Sequence, residues 1–171
     1  PDHLWLTQPT GGGAVVDYTW RQTMDQARRM ATHLRSLGYP PGSNIALFSK
    51  NSAWWFLADL AIWMAGHVTV PLYPTLTAQT IKQILEHSES KVIFVGKLDN
   101  FAEMEPGIPD GLPRIALPLS PKLDCEKWTD IVARTEPLEG EPTRAPDDLA
   151  TIVYTSGSTG VPKGVMHSFR T

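Results

Sequence analysis

Residues 150–169 read ATIVYTSGSTGVPKGVMHSF, and the change of character inside this stretch organises everything around it. Thr151, Ile152 and Val153 form a short β-branched run, which predicts a buried strand. The strand then gives way to a loop rich in hydroxyls and glycine. Thr155, Ser156, Ser158 and Thr159 bring four hydroxyls, Gly157, Gly160 and Gly164 bring backbone freedom, and Pro162 and Lys163 stand as a pair.

Each residue type in that loop has a use if the ligand is a polyphosphate. Glycines let backbone N–H groups approach phosphate oxygens closely. Hydroxyls add donors without adding charge, and Lys163 adds a mobile point charge behind a proline that stiffens the chain. The spacing is not that of a Walker loop, because Lys163 follows Pro162 and precedes Gly164. A nucleophile elbow is also excluded, since the residue two places before Ser158 is Ser156 and not glycine. A flexible Ser/Gly linker is the plainer alternative. It has no need of the preceding strand or of the Pro-Lys-Gly run.

YTSGSTGVPKGV resembles the phosphate-binding signature of the AMP-forming adenylating enzymes, the superfamily of acyl-CoA synthetases, peptide-synthetase adenylation domains and luciferases. The resemblance implies that Thr155, Ser156, Gly157, Ser158, Thr159, Gly160 and Lys163 hold the β- and γ-phosphates of ATP. It extends to Met64–Leu72, which is similar to the family's Ala-Gly-x-x-x-x-Pro-Leu segment, and to HSESKVIFV. The wording of SGSTGVPKGVMHSF and VPLYPTLTA is most similar to bacterial long-chain fatty-acid–CoA ligases.

Composition bounds the rest. The chain has 171 residues, 42% hydrophobic and 19% charged, with a formal net charge of -3. That is the make-up of one ordinary folded domain. It forces no basic face, so nucleic acid has no compositional support as a partner. Cys125 is the single cysteine, which excludes an intrachain disulfide and makes a cytoplasmic location the expectation. Ala53–Gly66 is the most apolar segment; it carries Asp59 and falls short of the ~20 residues needed to span a bilayer. The chain opens on Pro1 without a basic-then-apolar leader, so no signal peptide is expected.

Pro1–Asp17, with Gly11, Gly12 and Gly13, reads as an irregular lead-in or a hairpin. Thr19 and Gln22 have the spacing of a capping box, and Trp20, Met24, Ala27, Met30, Ala31, Leu34 and Leu37 then recur at helical spacing up to Gly38. Asn44–Ser49, His67–Tyr73 and Lys91–Val95 read as strands. Ser52 caps a helix from Ala53 to Met64 that is apolar nearly all round, hence buried on more than one side. Its tryptophans fit core packing better than ligand stacking. Thr77 starts a helix holding Ile81, Ile84 and Leu85. Alternation of strands and helices predicts an α/β fold with parallel strands, right-handed crossovers and ligands beyond the carboxyl ends of the strands. Prolines crowd the stretch from Pro106 to Pro146, leaving a strand at Arg114–Leu117, one short helical face within Asp124–Arg134 and a surface connection over Glu136–Asp148.

The five histidines lack metal-site spacing, so no metal ligand is assigned. His33 and His87 read as surface or interface residues, and His167 as a cap or packing group where a helix begins after the loop. The chain has Phe169 before Arg170 where many relatives have a histidine, so no acyl-pocket histidine is carried over, and Phe169 suits an apolar substrate. The resemblance implies a fatty-acid–CoA ligase that uses ATP, Mg2+ and CoA in fatty acid metabolism. Residues 1–171 would form the N-terminal portion of its AMP-binding domain, ending after the phosphate loop, with no catalytic residue of its own. Apolar surface left by such a fragment favours a homo-oligomer. A fatty-acyl-AMP ligase, a peptide-synthetase adenylation domain and a non-catalytic nucleotide- or partner-binding module are the alternatives.

Overall fold

The computed structural model describes residues 1–156 and 160–171. The lead-in is a hairpin. β1 (Leu4–Gly11) pairs antiparallel with β2 (Ala14–Thr19). Thr19 then caps α1 (Trp20–Ser36): its side chain accepts from the Gln22 N–H while the Gln22 side chain accepts from the Thr19 N–H, a full capping box.

The chain continues as β3 (Asn44–Phe48), α2 (Ala53–Met64), β4 (Val68–Leu72), α3 (Ala78–Ser88) and β5 (Ile93–Val95). A short helix α4 (Phe101–Met104) and a 3₁₀ turn lead to β6 (Arg114–Ala116) and the two-residue β7 (Glu126–Lys127). The expected helical face within Asp124–Arg134 is divided: its first residues extend β6's edge as β7, and α5 (Trp128–Arg134) follows. β8 (Leu149–Ser156) and β9 (Pro162–Ser168) close the chain. Neither α4 nor β7 carries enough residues to show a period.

The main sheet has the order β7-β6-β5-β3-β4-β8-β9, parallel throughout except for the β8–β9 pair. Strand alternation divides the core cleanly. Ile45, Leu47, Val92 and Phe94 face α1, α2 and α5, while Ala46, Phe48, Ile93 and Val95 face α3 and α4. The chain steps from β3 to β4 with α2 on one face, then back past β3 to β5 with α3 on the other. Reversing both direction and face preserves the hand of the crossover, as the twist of parallel strands demands. α2 has buried residues on several sides, including Trp54, Leu57, Ala61 and Ile62. No described helix is long and apolar enough to cross a membrane.

One polar side chain ties these layers together. The Glu136–Asp148 tract, expected to be a surface connection, sends Arg144 inward. Its guanidinium donates to the carbonyls of Trp63, His67 and Leu149 at 3.0–3.1 Å and stacks over Phe169 at 4.9 Å. The last turn of α2 has no basic residue of its own. Arg144 adds a charged donor at this end, where the Trp63 carbonyl also accepts from the Gly66 N–H. Replacing Arg144 by Met should destabilise the fold by about 2 kcal/mol, the scale of charged hydrogen bonds lost to buried acceptors. Lys at this position should recover little, because a point charge cannot reproduce the planar fork; urea unfolding of the variants checks both outcomes.

Candidate functional site

Parallel register places the signature before its chemistry is considered. Thr69 of β4 pairs with Thr151 of β8, so Thr155 and Ser156 emerge at the carboxyl end of the sheet. Beside them lies the point where β3 hands the chain to one face and β4 to the other. Such reversals open crevices at the carboxyl ends of strands. A cavity of 230 Å³ sits there, lined by Ser49, Asn51, Trp55, Tyr73, Pro74 and Val153 among others. Of the tryptophans of α2, Trp54 is buried and donates to the Tyr18 hydroxyl, whereas Trp55 faces this cavity.

The signature is mostly a hairpin stem. Thr155 pairs with Lys163 and Ser156 with Pro162 across an antiparallel ladder. The expectation of a loop from Thr155 through Lys163 is therefore corrected at both ends, and the helix expected after it is a strand, β9. The physical reason is that β8 offers a complete row of backbone partners, while Gly164 would weaken a helix at that position. Thr155, Ser156, Gly160 and Lys163 are exposed at or near the tip. Gly157, Ser158 and Thr159 lie outside the described residues.

Alternation puts Thr155 and Lys163 on the α2 side of the hairpin and Tyr154 and Gly164 on the α3 side. Tyr154 is buried. Gly164 is required by close approach: a Cβ there would lie 2.9 Å from Ile152 Cγ2 and 3.2 Å from Tyr154 Cζ. The Tyr154 hydroxyl lies 2.7 Å from Nδ1 of His87 near the end of α3. His87, read from sequence as a surface or interface residue, is thus an exposed side chain with a buried partner. That pairing joins residues 67 positions apart and left no trace in local spacing.

His167 lies in β9 opposite Thr151 and is exposed, which corrects its expected place at the start of a helix. Phe169 lies roughly 20 Å along β9 from Lys163 at ~3.3 Å per residue. It packs against Trp63 and borders a second cavity, of 220 Å³, with Asp59, Leu60, Ala150 and Thr151. Burial pushes the Asp59 carboxyl above its usual range, opposed by a 2.7 Å hydrogen bond donated by Thr69. His67 is held below the usual imidazole range by burial and by the Arg144 and Arg35 charges. Among the described residues no cluster of three or more His, Cys, Asp or Glu side chains is arranged to hold a metal ion.

A largely parallel sheet covered on both faces, with a glycine- and hydroxyl-rich hairpin and a crevice at its carboxyl edge, defines a doubly wound α/β domain of the kind that binds ligands at that edge. The whole chain, residues 1–171, matches the AMP-binding enzyme family, and it belongs to that family. It is 33% identical over 171 residues to a long-chain-fatty-acid–CoA ligase of Mycobacterium tuberculosis, covering 96% of this chain and 28% of that protein. It is 35% identical over 150 residues to nonribosomal peptide synthetase 9 of Gibberella zeae, covering 87% of this chain and 16% of that protein. The crystal structure of the anthranilate–CoA ligase AuaEII in complex with anthranoyl-AMP superposes with a TM-score of 0.77 at 22% identity, over 91% of this chain and 30% of that one. The fold is shared, and the chain spans under a third of the length of these proteins.

A carboxyl group with a raised pKa favours the folded state most while protonated, so its contribution is fully present below the ordinary aspartate value of 3.8 and is lost as pH rises through the higher folded value. Asp59→Asn keeps an acceptor for Thr69 and removes the titration. The stability of the variant relative to the unsubstituted chain should therefore increase from pH 3.5 to pH 7. Urea unfolding at the two pH values checks it, and a constant difference would contradict the assignment.

Proposed function

We propose that the protein is a fatty-acid–CoA ligase, activating a carboxylic acid with ATP to an acyl-adenylate and pyrophosphate and then forming the CoA thioester. The observation that carries this reading is the Thr155–Lys163 pairing. The ladder brings a hydroxyl and a flexible ammonium onto one side of a hairpin tip, at the carboxyl edge of a parallel sheet, within a chain of the AMP-binding family. The named ligase relatives support the acid and the thiol, and the bound anthranoyl-AMP of one structural neighbour supports the adenylate.

In this reading Thr155, Ser156, Gly157, Ser158, Thr159, Gly160 and Lys163 bind the β- and γ-phosphates. Hydroxyl and backbone donors at the tip, with the Lys163 ammonium, meet negative charge as it accumulates on departing pyrophosphate. Donors organised in advance stabilise such charge better than solvent that must reorient. Magnesium enters with ATP as part of the substrate. The acid-binding surface and the acceptor step belong to parts of the enzyme beyond these residues, in keeping with the greater length of the relatives.

Peptide-synthetase adenylation is the second reading, favoured by the 35% identity to a peptide synthetase. The two share the first half-reaction and differ in the acid and acceptor. In the complete gene product, Lys163→Ala should lower acid-dependent ATP–pyrophosphate exchange by about 10²-fold while leaving the unfolding midpoint nearly unchanged, because an exposed lysine contributes little to packing. Exchange driven by palmitate supports the ligase, exchange driven only by an amino acid supports the second reading, and unchanged exchange in the variant refutes the role of Lys163.

A further inference from the structure

The hairpin tip has a mechanical problem. Its phosphate-directed residues stand at the end of a two-stranded projection whose outer strand, β9, pairs on one side only in the described sheet. Val161, Val165 and Met166 of that strand and its approach are exposed, so they add little packing to hold Lys163 in place. Something else must fix the stem if donors at its tip are to meet phosphate in a set geometry.

We propose that His87 is a positioning residue for the phosphate-binding hairpin, acting through Tyr154. Three contacts form the linkage. His87 stands in the last turn of α3, an element anchored to the sheet by buried Ile81, Ile84 and Leu85 and by the Asn44 side-chain amide, which donates to the Ser88 carbonyl at 2.7 Å. Its Nδ1 lies 2.7 Å from the Tyr154 hydroxyl, with the two rings edge to face at 5.6 Å. The tyrosine ring in turn lies against Gly164, so closely that a Cβ on that residue would meet Cζ at 3.2 Å.

Tyr154 and Gly164 are the cross-strand pair immediately below Thr155 and Lys163. Fixing the ring therefore fixes both strands one residue before the phosphate-directed pair. Without the hydrogen bond the ring keeps its apolar packing but can shift along the sheet, and Gly164, which has no side chain of its own to interlock, follows it. Displacement of an ångström or so at a set of preorganised donors is enough to weaken charge stabilisation substantially. The inference rests on the proposed phosphate role of the hairpin, but the linkage from α3 to β9 is a property of the fold itself.

Tyr154→Phe removes one hydroxyl and preserves the ring, and His87→Leu removes the other partner. His87→Asn places an amide where Nδ1 stands, at little cost in helix propensity. In the complete gene product, ATP–pyrophosphate exchange of Tyr154→Phe and His87→Leu should show a KM for ATP raised about fivefold, with the KM for the acid unchanged. The double variant should be no worse than either single one, since both remove the same bond, and His87→Asn should restore most of the loss. Amide hydrogen exchange at residues 162–166, which needs no activity, should quicken about fivefold in both single variants while residues 45–48 of β3 stay protected.

Exchange kinetics that do not change in the variants, or additive losses in the double variant, would overturn the positioning role. Should the unsubstituted enzyme show no acid-dependent exchange, the proposed function falls. The amide measurement then decides the linkage alone, and equal protection of residues 162–166 in all variants would refute it.

Discussion

β3 is hydrogen-bonded along both edges and covered on both faces, and the remaining elements take their places from it. All five of its residues pair in parallel with β4 on one side and Ala46 to Phe48 pair in parallel with β5 on the other, and Ile45 through Phe48 are wholly buried. Every backbone donor and acceptor of such a strand needs a partner within the protein. Parallel neighbours can provide them only if the chain returns over the sheet each time, which brings in the helices. Burying a side chain such as Leu47 contributes about 1.5–3 kcal/mol, and the alternation of β3 spends that contribution equally on the two layers.

The position of the candidate site is a consequence of this arrangement. Because crossovers from β3 and β4 leave to opposite faces, the carboxyl ends of these strands are left uncovered between them, and β8 joins the same edge in parallel. Its continuation into β9 makes the residues on either side of the signature's centre an antiparallel stem where the sequence suggested a free loop. Antiparallel pairing then decides which signature residues share a side: Thr155 with Lys163, Tyr154 with Gly164. The latter pair faces α3, and the former lies on the α2 side of the hairpin.

Buried polar groups hold the layers in register where apolar packing alone is indifferent to small slips. Arg144 reaches three carbonyl groups from α2, the turn before β4 and β8. Asp59 of α2 accepts from Thr69 of β4, next to the pairing of Thr69 with Thr151. Trp128 closes the α1–α5 contact with its indole N–H donated to Gln26. Each of these contacts depends on direction as well as proximity, so each discriminates against neighbouring arrangements of the same apolar surfaces.

Local sequence by itself determined the elements whose signal is contained within them. The capping box at Thr19, the apolar α2 behind Ser52, and the runs Asn44–Phe48, Val68–Leu72 and Ile93–Val95 all carry their period or their punctuation in adjacent residues. The ordered signature at Tyr154–Val165 likewise carried the family. Tertiary structure alone decided that Pro162–Ser168 is a strand, that Arg144 turns inward, that His87 meets Tyr154, and that Phe169 packs on Trp63 at the far end of the hairpin from Lys163. None of these has a local signal, because each depends on a hydrogen-bonding edge or a buried surface supplied by residues distant in the chain. A short segment adopts the conformation its partners can satisfy, and those partners exist only once the sheet has formed.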